Sequence, residues 1–112
     1  MKKIINNPSD IVEEMLSGYI SAYSRYYERV SGQNAVMLKE RRKDKVALVI
    51  GGGSGHEPLF IGFVGKGLAD AAAAGNIFAA PNPQLIAETA KAVHEGKGVL
   101  FVYGCYAGEH EL

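Results

Sequence analysis

Apolar side chains at Ile11, Met15, Leu16, Tyr19, Ile20 and Tyr23 recur at steps of three and four, which lines one face of a helix. Asn7-Pro8-Ser9-Asp10 supplies its start: Asn7 is a capping residue, Pro8 suits a first turn and Asp10 complements the positive helix end. The pattern ends the helix between Tyr23 and Tyr27, and it assigns Tyr23, Tyr26 and Tyr27 to packing. Ala35-Val36-Met37-Leu38 reads as a short strand. Lys45 to Ile50 reads as a longer one, apolar without alternation beyond its first residue, as expected when both faces are covered. Pro58 to Val64 predicts a helix stopped by Gly65 and Gly67. Ala71 to Gly75, too small for an ordinary helix, reads as an extended segment. Asn82-Pro83 opens another helix by the same device as Asn7-Pro8. Leu85, Ile86, Thr89, Ala90 and Val93 form its buried face, and Gly96 ends it. Gly98 to Tyr103 is a second buried strand.

This alternation predicts an α/β fold, with a mainly parallel sheet and helices on both faces. A sheet of that kind normally continues past such a strand, so residues 1–112 are expected to be the N-terminal portion of a larger domain. Hydrophobic residues make up 47% of the 112, enough for a core. Lys plus Arg and Asp plus Glu are 12 each, a balance that argues against a nucleic-acid partner. The charge run Lys39 to Lys45 is mixed in sign and reads as a solvated loop. No apolar run approaches the roughly 20 residues that span a bilayer, so no membrane partner is expected. The opening Met1-Lys2-Lys3-Ile4-Ile5 lacks the apolar length of a signal peptide and reads as a cytoplasmic start. The single cysteine, Cys105, forms no internal disulfide and fits a reducing compartment.

Glycine changes the picture, at 14 of 112 residues against a usual share of about 7%. Ligands of open α/β sheets collect beyond the carboxyl ends of strands. Two strands here run into unusual loops, Gly51 to His56 and Gly104 to Glu109. If those strands are neighbours, both loops open on one crevice shared by His56 and Glu109. The first loop fails three known patterns. His56-Glu57 stands where a P-loop has lysine before Ser or Thr. His56 also stands at the last glycine of a dinucleotide fingerprint, and at the second glycine of a nucleophile elbow around Ser54. What remains is a main-chain cradle in which N–H groups bind an anion or oxygen of a ligand. Four glycines in five positions exceed what a tight turn needs, which predicts close approach by a ligand. The helix start expected after His56 favours its uncharged imidazole, able to accept a hydrogen bond or proton from a substrate hydroxyl. His94 lies late in a helix and has no further role. His110 between two glutamates does not point to a metal, since adjacent residues face different ways. Cys105 reads as a buried spectator thiol.

Gly51-Gly52-Gly53-Ser54-Gly55-His56-Glu57-Pro58, Asn76-Ile77-Phe78 with Pro81, and Gly98-Val99-Leu100 leading to Tyr106 and Gly108 resemble the dihydroxyacetone kinase family. The likeness is to the substrate-binding K subunit of the phosphotransferase-dependent type, a cytoplasmic protein of glycerol metabolism. It spans this whole chain and only the opening part of that two-domain subunit. The resemblance implies phosphorylation of the terminal hydroxyl of dihydroxyacetone (glycerone) or a related short ketose. It implies His56 and Glu109 as the acid–base pair, with Gly53, Ser54, Gly55 and Gly104 contacting substrate. It further implies a covalent substrate-binding histidine beyond Leu112 and a homodimer. No cofactor is expected on this chain, because nucleotide and Mg belong to a partner kinase subunit that supplies the phosphate. Family members read Lys-Asn-Tyr-Thr-Gly-Asp where this chain reads Gly104-Cys105-Tyr106-Ala107-Gly108-Glu109. That exchange removes a cation and moves a carboxylate outward by one methylene. It suits a longer ketose such as erythrulose, or a non-catalytic ketose sensor that signals to a transcription regulator.

Overall fold

The computed structural model describes residues 2–41 and 43–104. Asn7 accepts from the Ser9 amide (3.0 Å) and hydroxyl (2.8 Å), and starts a 3-10 turn at Pro8–Asp10 that runs into helix α1, Ile11–Ala22. Three strands follow: β1 (Tyr27–Arg29), β2 (Ala35–Leu38) and β3 (Ala47–Ser54). Next come β4 (Ala71–Ile77), helix α2 (Pro83–Val93) and β5 (Val99–Tyr103). Asn82 caps α2 by accepting from the Leu85 amide at 2.8 Å.

The strands form one sheet in the order β1-β2-β4-β3-β5. β3 pairs in parallel with both β4 and β5, whereas β1–β2 and β2–β4 are antiparallel. The sheet is therefore mixed where a mainly parallel one was expected. The short β1 escaped the sequence reading because its Tyr27 looked like the tail of the preceding helix. Tyr27 instead turns into the sheet, where its hydroxyl donates to the Val64 carbonyl at 2.7 Å and its ring stacks on Tyr19.

Alternate positions of the same strands serve the two helices. Val12 and Leu16 of α1 pack with Val36, Leu38, Ile50, Ala72 and Ala74. Leu85, Ile86 and Val93 of α2 pack with Ala35, Ala73, Ala47, Val49 and Ala71. Ala71 to Ala74, with almost no exposed surface, thus form the first half of β4 at the centre of the sheet. Their small size leaves room for the side chains of α1 and α2 that pack against that strand.

Pro58 to Val64 is not the predicted helix. It makes turns and one 3-10 turn at Ile61–Phe63, with Ile61 and Val64 buried while Phe63 stays exposed. Two buried positions give too narrow a stripe to hold a helix, and Gly62 in its middle weakens it further. Beneath it, Asp70 is buried; its carboxylate accepts from Lys45 and, at 2.8 Å, from the Leu48 amide. β5 is an edge strand among the described residues, and Leu100, Phe101, Val102 and Tyr103 are all exposed. No helix among the described residues is long and apolar enough to cross a membrane.

Candidate functional site

β3 lies between β4 and β5 in parallel, so the carboxyl ends of all three strands come together. Gly53 and Ser54 end β3 there, and Gly55 and His56 follow them. Gly104 follows β5 beside them, with its amide 3.4 Å from the Gly51 carbonyl. The expected adjacency of the two strands therefore holds. Residues 105–112 lie outside the described residues, and with them Cys105, Glu109 and His110.

The glycine run is not a loop. Gly51, Gly52, Gly53 and Ser54 are the last, buried residues of β3, and the turn begins only at Gly55, whose φ of 111° demands glycine. The protein itself fills most of the space those glycines free. A Cβ on Gly52 would meet the Phe60 ring at 2.2 Å, and one on Gly53 the Ala79 nitrogen and oxygen at 2.8 and 2.9 Å. Gly75, across the sheet on β4, faces Ala79 O at 2.3 Å in the same way. The bare backbone thus admits the chain's own segment 78–81. The Ser54 hydroxyl donates to the Gly75 carbonyl at 2.9 Å in a buried bond, and the Gly55 amide donates to the Glu57 carboxylate at 3.0 Å. The anion expected at this backbone is, for Gly55, supplied by the next residue but one.

His56 is half-buried at the head of this turn. No α-helix starts after it, so the helix end expected to favour its uncharged form is not there. Its orientation has other causes. Nδ1 lies 2.9 Å from the Leu59 carbonyl, and a carbonyl only accepts, so Nδ1 carries the hydrogen. In the neutral ring Nε2 is then the acceptor, the role that proton transfer from a hydroxyl requires. The rings of Phe60 and Phe78 stand edge-on to the imidazole, with centroids at 6.1 and 6.3 Å. Neither aromatic was singled out from the sequence as a neighbour of the histidine. Phe78 has φ 53°, the left-handed region that a bulky residue enters only under constraint, at a cost of about 1–3 kcal/mol. Its amide donates to the Ser54 carbonyl at 2.7 Å, which ties the ends of β3 and β4 together.

His94 ends α2 at the surface, as its position late in that helix implied. Among the described residues no group of three His, Cys, Asp or Glu side chains gathers as a metal site. Tyr19, Tyr23 and Tyr27 pack ring against ring, in keeping with the packing role read for Tyr23 and Tyr27. Burial, then the Tyr27 hydrogen bond and the neighbouring Tyr27 and Tyr23, push the Tyr19 hydroxyl well above its usual pKa.

Comparison with known proteins follows the same outline. Residues 17–110 match the Dak1 domain. The chain is 43% identical over 97% of its length to the dihydroxyacetone-binding subunit DhaK of PTS-dependent dihydroxyacetone kinase 2 from Listeria innocua, covering 34% of that protein. It is 48% identical over 97% of its length to a D-erythrulose kinase from Mycolicibacterium smegmatis, covering 19% of it. The solved structure of the dihydroxyacetone kinase operon co-activator Dha-DhaQ superposes with a TM-score of 0.82 at 30% identity, over 88% of this chain and 30% of that one. The chain belongs to the Dak1 domain family, that of the dihydroxyacetone kinases. It spans about a third or less of the length of these relatives.

Proposed function

We propose that this chain is the opening part of the substrate-binding subunit of a short-ketose kinase, in which phosphate passes from a separate nucleotide-bearing subunit to a terminal hydroxyl. The observation that carries this reading is the convergence of the carboxyl ends of β3, β4 and β5, with His56 oriented there by Leu59, Phe60 and Phe78. In this reading Nε2 of His56 takes a hydrogen bond from the ketose, and Glu109 receives the proton of the attacking hydroxyl. The backbone at Gly53 and Gly104 borders the substrate, while Ser54 and Gly55 hold the turn through their own hydrogen bonds. Nucleotide and Mg stay with the partner subunit, and the subunit acts as a homodimer. One relative named above is a dihydroxyacetone-binding subunit and another a D-erythrulose kinase, and the longer reach of Glu109 favours the four-carbon sugar.

The test is phosphoryl transfer by the purified full-length protein with its partner subunit and a donor, using dihydroxyacetone and erythrulose. We expect a ketose phosphate, and at least a hundredfold slower turnover in His56→Ala, since acid–base help contributes about 10²–10⁴ in rate. Tight ketose binding with no transfer, the partner being present, overturns the kinase reading. That result fits a second one, a ketose-sensing co-activator, for which Gly104 and Glu109 in place of lysine and aspartate speak, as does the likeness to the operon co-activator.

A further inference from the structure

Where β4 begins, at the other end of the sheet from Ser54, a groove of about 580 Å³ opens between the β1–β2 pair and the turn at Gly65. Its lining includes Arg25, Tyr26, Tyr27, Lys39, Glu40 and Lys66. A second groove of about 400 Å³ adjoins it, sharing Leu38, Glu40, Gly65 and Lys66. Leu38 bonds to the Asp70 carbonyl at the start of β4, whereas Ser54 pairs with Ile77 at its end. One strand length, roughly 20 Å, therefore separates this groove from His56.

We propose that the larger groove binds a nucleoside phosphate. Three cations face one carboxylate there, in a chain whose charges balance overall at 12 and 12. Arg29, Arg41, Lys45 and Lys91 each take a carboxylate within 3.7 Å. Among the described residues Arg25, Lys39 and Lys66 form no ion pair, so the charge excess faces the groove uncompensated. Lysines recognise phosphate as compact point charges. Lys66 is carried on a fixed turn, with Gly67 at φ 79° and the Gly65 amide bonded to Ala69 O at 3.0 Å. Phosphate alone does not explain the aromatic side. Tyr26 is about half exposed, and the Arg25 guanidinium stands 5.8 Å from its ring centroid. Tyr27 beside it is fixed through its hydroxyl to Val64. A tyrosine with an arginine over it is a stacking platform for a flat base. The groove has the volume of an ordinary small-molecule site. This nucleotide is distinct from the phosphate donor on the partner subunit, takes no part in the chemistry at His56, and does not rest on the kinase reading.

The test is calorimetric titration of the purified chain, free of divalent cations, with AMP, adenosine and inorganic pyrophosphate. AMP is expected to bind one to one, with adenosine and pyrophosphate each about tenfold weaker or more. Lys39→Glu with Lys66→Glu should weaken AMP more than tenfold, and Tyr26→Ala about tenfold, with far-UV circular dichroism unchanged. His56→Ala should bind AMP as well as the parent does. Absence of saturable AMP binding overturns the proposal. So does pyrophosphate binding as tightly as AMP, or AMP affinity that survives the double charge reversal.

Discussion

Replacing Gly75 by alanine tests whether these glycines serve the protein's own packing. A Cβ on Gly75 meets Ala79 O at 2.3 Å, Pro81 N at 2.7 Å and Ala80 C at 2.8 Å, all main-chain atoms. Ordinary contact begins near 3.4 Å, so the methyl group has no room unless segment 79–81 moves. That segment is anchored by the Ala79 amide on Asn76 O at 3.1 Å and, just before it, by Phe78 on Ser54 O. Overpacking against a wall that cannot relax costs up to about 3 kcal/mol. Breaking one anchoring bond adds about 1 kcal/mol. The stiffer unfolded chain gives back up to about 1 kcal/mol. The expected net loss is about 3 kcal/mol, a large share of the stability of a small domain. Gly53→Ala, whose contacts are 2.8 and 2.9 Å, should lose less, about 1–2 kcal/mol. Gly18→Ala is the control: it lies in α1 with nothing within 4 Å, and should gain about 0.5–1 kcal/mol. Urea unfolding followed by far-UV circular dichroism measures all three at comparable slope. A Gly75→Ala protein within about 0.5 kcal/mol of the parent would refute the packing account and return the glycines to a ligand.

Three further outcomes follow from other elements. Asp70→Ala should destabilise by about 2 kcal/mol, because it strips a partner from the Leu48 amide and from Lys45; a loss below about 0.5 kcal/mol in urea would show that water replaces the carboxylate. Asn82→Ala should cost about 1 kcal/mol through the lost cap on Leu85, a loss that Asn82→Asp should largely avoid. Tyr19 has its folded pKa raised above an unfolded value of about 10, so its contribution is complete below that pH and is lost as pH rises further. Stability should therefore fall above about pH 10, and less steeply in Tyr19→Phe; parallel pH curves for the two proteins would count against the assignment.

What the sequence could reveal followed from periodicity and caps. Both helices were legible because Asn7-Pro8 and Asn82-Pro83 mark their starts, and Leu16 or Leu85 repeats with its neighbours at helical spacing. β3 was legible from Ala47 to Ile50 and then misread, since glycine is disfavoured in strands and its run argued for a loop. Only the contacts of Gly52 with Phe60 and of Gly53 with Ala79 explain why the strand continues. β4 gave a faint signal for a related reason: alanine favours helix over strand locally, and its smallness matters only once α1 and α2 pack on the strand. The candidate site was proposed from a word, Gly51 to Pro58, and from a rule about carboxyl ends of strands. How His56 is held was not, because Phe60 and Phe78 reach it through turns, one of them at a left-handed backbone angle.

The outermost strand has a practical consequence. Leu100, Phe101, Val102 and Tyr103 stand uncovered along an open rim whose outward-facing peptide groups have no strand neighbour among the described residues. Such a rim is a template for another chain to zip onto. The protein should grow stickier with concentration, and a lysine at Leu100 or Val102 is the change that keeps it in solution.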